Sequence, residues 1–75
     1  MKELLTYIAQ NLVDHPEAVS VTEHAGEDET VLELRVAPED MGKVIGKQGR
    51  IAKAIRSVVR AATAKDAKPV FVEIQ

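Results

Sequence analysis

The stretch VIGKQGRIAKAIR, residues 44 to 56, concentrates the groups of this chain that could do chemistry. Two glycines stand three places apart around a Lys-Gln pair, and Arg50, Lys53 and Arg56 follow at even spacing. Such a segment suits an anion. Glycines lack Cβ atoms, so they allow a sharp turn and let a sugar-phosphate backbone approach the main chain closely. Free N–H groups at the start of a following helix point toward that backbone, and the helix dipole favours negative charge there. Lys47 and Arg50 add mobile countercharge, while Gln48 offers neutral hydrogen bonds without the desolvation cost of another ion.

Two other readings of a lysine beside glycines compete with this one. A nucleotide-binding P-loop needs G-x-x-x-x-G-K-[ST] after a strand, but Gly42 to Gly46 is one residue short and Gln48 stands where the magnesium-binding hydroxyl belongs. A purely architectural role would make Gly46 a helix C-cap and Gly49 a turn residue. Catalysis has less support. Ser57 has no histidine at a recognisable spacing, the carboxylates gather in a turn, and His15 beside Pro16 reads as a helix terminus rather than a base. The chain has no cysteine and only two histidines, His15 and His24, so no thiolate or ordinary zinc site is expected, and no cofactor.

The elements that must position this loop follow from periodicity. Met1, Leu4, Leu5, Ile8, Ala9 and Leu12 fall on one side of a 3.6-residue spiral, which predicts an amphipathic helix over residues 1 to 13, ended by Pro16. Two β-type runs, 18 to 24 and 30 to 36, flank the acidic turn AGEDE and predict a hairpin. Leu32, Leu34 and Val36 alternate with Glu33 and Arg35, so one face of the second strand is buried. Pro38 suits the first turn of a further helix, with Glu39 and Asp40 near its positive end and Met41, Val44 and Ile45 on its buried face. GKQG interrupts that helix after about two turns. A helix over residues 50 to 64, the loop AKDAKP and a strand over residues 70 to 74 complete the order. The parallel pairing of the second and third strands requires a crossover, which the two helices supply, right-handed by the usual rule. An α+β domain results: a three-stranded mixed sheet with three helices packed on one face.

A chain of 75 residues has room for one domain and buries only roughly 60% of the surface its unfolded form exposes, so its stability is expected to be modest. No apolar run approaches the roughly 20 residues that span a bilayer, and the first residues are amphipathic and charged rather than signal-like, so a soluble cytoplasmic protein is expected. The net charge of -2 conceals a division. Residues 1 to 40 carry ten acids against two Lys or Arg, a balance of -8; residues 41 to 75 carry eight cations against two acids, a balance of +6. Potentials act over a Debye length of about 8 Å at physiological salt, so it is the basic second half, rather than the total, that a polyanion meets.

VIGKQG resembles the I-G-x-x-G core of the KH domain, in which a GXXG loop between two helices clamps about four nucleotides of single-stranded RNA or DNA. The element order, with an extra helix and strand before the core, resembles the type II arrangement, and residues 1 to 75 then form a single KH domain. The longer run VIGKQGRIAKAIR resembles the KhpA family of small stand-alone bacterial KH proteins. One position departs from the general KH pattern: an aliphatic residue usually stands three places after the second glycine, where this chain has Ala52, as the small bacterial family does.

The resemblance implies that Gly46, Lys47, Gln48 and Gly49 contact phosphates, with Arg50 beside them, and that Val44, Ile45 and Ala52 form an aliphatic floor for bases. Lys53, Arg56 and Arg60 lie together on the polar side of the last helix, a side any amphipathic helix needs, and Lys43 reads the same way; Lys53 is the one placed in the RNA site, and Lys65 and Lys68, in the loop before the last strand, would extend the footprint. No set of strand aromatics offers a stacking platform, so base selectivity should be modest. Members of the family pair with a larger bacterial protein that carries its own KH domain beside a second nucleic-acid-binding domain. They are linked to post-transcriptional control, RNA chaperoning, cell shape and envelope growth. A subunit whose KH fold mainly mediates homo- or heterodimerisation is the alternative.

The last helix also carries an apolar excess. Ala52, Ile55 and Val59, with Ala62 at the margin, suffice to cover a three-stranded sheet, which leaves Ile51 and Val58, seven residues apart on one flank, beside Ala54 and Ala61. Either a broad core reaches Ile51 and Val58, or this flank is a dimer interface close to the GKQG loop.

Overall fold

The computed structural model describes residues 1–75. Helix α1 (Lys2–Leu12) leads through a 3-10 turn at Pro16–Ala18 into the hairpin β1 (Ser20–Ala25) and β2 (Thr30–Arg35). A second 3-10 turn at Pro38–Asp40 opens the short helix α2 (Met41–Ile45), a third covers Lys47–Gly49, and helix α3 (Arg50–Ala62) and strand β3 (Val70–Ile74) follow. The sheet order is β1-β2-β3, with β1 antiparallel and β3 parallel to β2. This is the expected three-stranded mixed sheet with its crossover through α2 and α3.

Register sets which residues meet the helices. Val21 pairs with Leu34, and Leu32 with Val72, and all four are buried, because alternate residues of a strand share a face. Leu5 and Ala9 of α1, Val44 of α2, and Ile55 and Val59 of α3 close the same core. Thr22, Glu33 and Glu73 form one row of the opposite face, and His24, Val31 and Phe71 the next. No helix covers that face.

Boundaries move where local chemistry overrides periodicity. α1 stops at Leu12 rather than running to residue 13 and Pro16: Val13 is extended (φ -103°, ψ 162°), and Pro16 begins its own 3-10 turn. The cause lies in Asp40. Its carboxylate is 1% exposed and accepts the N–H of Asp14 at 3.2 Å and that of His15 at 3.0 Å, so the chain leaving α1 is held in a turn. Asp40 stands at the expected helix start, as the N-cap of α2, but its side chain makes no cap bond there and instead clamps α1 to α2, through hydrogen bonds to a charged group worth roughly 1.5–3 kcal/mol each. The helix expected from Pro38 is a 3-10 turn plus little more than one α-turn, since Gly46 leaves the helical region at once. The hairpin strands begin at Ser20 and end at Arg35, and α3 stops at Ala62, two residues short, where Thr63 turns extended.

Candidate nucleic-acid interface

The loop between α2 and α3 is built from left-handed backbone. Gly46 has φ 75° and ψ 171°, Gln48 φ 59° and ψ 24°, and Gly49 φ 73° and ψ 16°. Gln48 is the only non-glycine residue of the chain with positive φ, a conformation that costs an L-residue roughly 1–2 kcal/mol. The two hydrogen bonds Gly46 N–H to Gly42 O (2.8 Å) and Gly49 N–H to Gly46 O (3.1 Å) hold the turn closed. Gly46 is required twice over. Its φ suits glycine alone, and a Cβ there would overlap Cγ1 of Ile51 and lie 2.9 Å from the Ile51 N. At Gly49 a Cβ would meet nothing within 4 Å, so there the conformation alone selects glycine.

The side chains of Lys47 and Gln48 are exposed, and Arg50 Nη2 donates to Gln48 Oε1 at 3.3 Å. No side chain caps the first turn of α3, and its first N–H, that of Arg50, donates to the Lys47 carbonyl within the turn. Lys47, Arg50, Lys53, Arg56 and Arg60 have no carboxylate within ion-pair distance. Lys43 does: its ammonium lies 3.2 Å from Asp14, which turns it away from this surface. Arg56 Nε reaches the Val72 carbonyl at 3.3 Å and so ties α3 to the free edge of β3. An anionic strand laid over the loop and α3 would meet a row of unneutralised cations.

The expected aliphatic floor divides by depth. Ile45 is 39% exposed and forms real surface, and Ala52 is buried at its margin. Val44 is fully enclosed in the core, so it supports the floor from beneath rather than offering contact area to a base.

The expected apolar flank is present and wider than the sequence indicated. Ile51, Ala54, Ile55 and Val58 of α3 face Leu4, Tyr7, Ile8 and Leu12 of α1 across an open groove of about 370 Å³. Ala61 is exposed but lies outside it. Val58 is 45% exposed, while Ile51 is half-buried and packs on the core. The contribution of α1 went unread because Leu4, Ile8 and Leu12 were spent on the core. Tyr7, one helical turn after Leu4 and exposed beside Ile8, was the available signal.

A family model described as "KhpA/KhpB, KH domain" matches residues 2–74. The chain is similar to the RNA-binding protein KhpA of Clostridium perfringens, with 66% identity over 74 residues that cover 99% of both chains. It is 61% identical to the protein of that name from Caldanaerobacter subterraneus, again over 99% of both chains. The one from Aquifex aeolicus is 49% identical across 99% of this chain and 94% of its own.

Proposed function

The chain belongs to the KhpA/KhpB family of KH domains, and from that premise we propose that it is a single type II KH unit that binds single-stranded RNA at the GKQG loop. About four nucleotides fit such a loop. Phosphates meet the main chain of Gly46 to Gly49 and the side chains of Lys47 and Arg50, with Lys53 one turn further along α3. Bases rest on Ile45 and the margin of Ala52, above Val44. The observation that carries this reading is the backbone of the loop: three of its four residues, Gln48 among them, are held at positive φ beside cations that no carboxylate neutralises. Strain of this kind persists where a function uses the shape.

The test replaces Lys47 and Gln48 together by Asp and follows binding of a short single-stranded RNA by fluorescence anisotropy. Binding should be lost with an unchanged circular dichroism melt, because both side chains are exposed. Retained affinity would refute the assignment.

A second reading rests on the groove between α1 and α3. A wholly apolar trough of about 370 Å³ beside a 45% exposed Val58 favours a homodimer, or a heterodimer with a larger KH-containing protein. The two readings combine into one role: a cytoplasmic post-transcriptional regulator or RNA chaperone that grips RNA through GKQG while paired with another KH surface, and whose effect on cell shape would follow from the RNAs it holds.

A further inference from the structure

β3 is an edge strand, and its free side continues the RNA surface past the loop. Thr30 N–H bonds to Pro69 O at 3.0 Å and Gln75 N–H to Leu34 O at 2.8 Å, so Pro69 and Gln75 face β2. The alternate residues Val70, Val72 and Ile74 therefore turn their main-chain groups outward. α3 runs back along this edge: Arg56 reaches Val72 at mid-strand, and Arg60 comes beside Val70. Arg56 thus divides the edge into a half near GKQG and a half near the loop after α3.

In that second half lies a concavity of about 420 Å³, within the range that holds small organic ligands. Arg60 and Thr63 of α3, Lys65 and Pro69 of the loop, and Val70 and Phe71 of β3 line it. Phe71 is 50% exposed and is the only phenylalanine of the chain. Neither Arg60 nor Lys65 has a carboxylate partner. Phe71, on the open face of the sheet, and two free cations that reach this edge from α3 and the loop after it together have the chemistry of a nucleotide site: a π-face for the base and, across the strand edge, countercharge for its phosphate.

Carboxylates bound the site. Glu33 and Glu73 stand opposite each other in the next row of the open sheet face, and Glu27, Asp28 and Glu29 occupy the hairpin turn at the same end of the sheet as Phe71. Lys68 donates to Gly26 O at 2.7 Å and so places one cation between that turn and the concavity. A strand that continued across the sheet would meet like charge, so the surface favours one further nucleotide and no extended platform.

We propose that this concavity is a second nucleotide subsite, in which the base of a nucleotide beyond those gripped at GKQG stacks on Phe71 and its phosphate meets Arg60 and Lys65. The proposal rests on the RNA reading above. It is tested with a tetranucleotide and an octanucleotide of single-stranded RNA against the wild-type chain and Phe71→Leu. The substitution should weaken octanucleotide binding about five- to tenfold and leave the tetranucleotide unchanged, as loss of one stacked base requires. Phe71→Tyr should restore it. In the wild-type chain, the single phenylalanine ring should shift in proton NMR with the octanucleotide and stay in place with the tetranucleotide. Equal loss for both lengths, no loss for either, or a ring that ignores the octanucleotide would overturn the subsite and leave the GKQG reading standing. A wild-type chain that binds neither RNA would overturn both.

Discussion

Along one side of α3, Arg50, Lys53, Arg56 and Arg60 stand without carboxylate partners. Along the other, Ile51, Ala54 and Val58 face α1 across a groove lined by apolar residues alone. Both flanks are exposed, yet they ask for opposite partners. The first is short of anions and its interactions fade with salt; the second is short of apolar contact and is indifferent to salt. A single helix can serve both because its middle face, Ala52, Ile55 and Val59, already secures it to the sheet. Exposed side chains on one flank can therefore be changed without unseating the other.

The largest break in this symmetry comes from the loop. Replacing Lys47 and Gln48 by Asp should lower RNA affinity about a hundredfold or more, through lost phosphate contacts and added repulsion, while the oligomeric state seen by light scattering stays as it was. Gly46→Ala comes next. Positive φ and the overlap with Ile51 should together cost roughly 2–4 kcal/mol, whereas Gly49→Ala, strained in φ but spacious, should cost about 1–2 kcal/mol in denaturant titration. Equal losses would mean that the Ile51 contact is not what fixes Gly46. Val58→Asp addresses the other flank. A half-exposed side chain loses little on its own, so the variant should remain folded, with a change of about 1 kcal/mol or less, and should sediment as a monomer. An unfolded variant would place Val58 in the core, and a folded dimer would put the interface elsewhere. The smallest effect sharpens the contrast most: about three phosphate contacts give a salt slope near -2 for RNA, against nearly none for self-association through the groove.

The sheet, its pairing and the interruption at GKQG were legible because they rest on periods and on glycine spacing, which act locally. Val21, Leu32, Leu34 and Val72 alternate in the sequence as they do in the core. What escaped depends on pairs distant along the chain. Nothing near Asp40 announces that it will accept the N–H groups of Asp14 and His15, some 25 residues earlier, and the shortened α1 follows from that clamp. Lys43 looked like its basic neighbours, and only the fold brings it to Asp14. Val44 fits the loop motif yet sits wholly inside, since a pattern of residue types says which face is apolar and not how deep each member lies. The left-handed Gln48 was hidden for a different reason: its conformation is imposed by the closure of the turn around it, against its own preference.

Ile51 belongs to both flanks at once. One side of it lines the groove against α1, and the other packs so closely on Gly46 that no larger residue fits there. Whatever fills the groove therefore touches a side chain that also shapes the GKQG turn. Linkage makes the benefit mutual: if pairing tightens the grip on RNA by some factor, RNA tightens pairing by the same factor. The two surfaces that charge and hydrophobicity keep apart meet at one isoleucine.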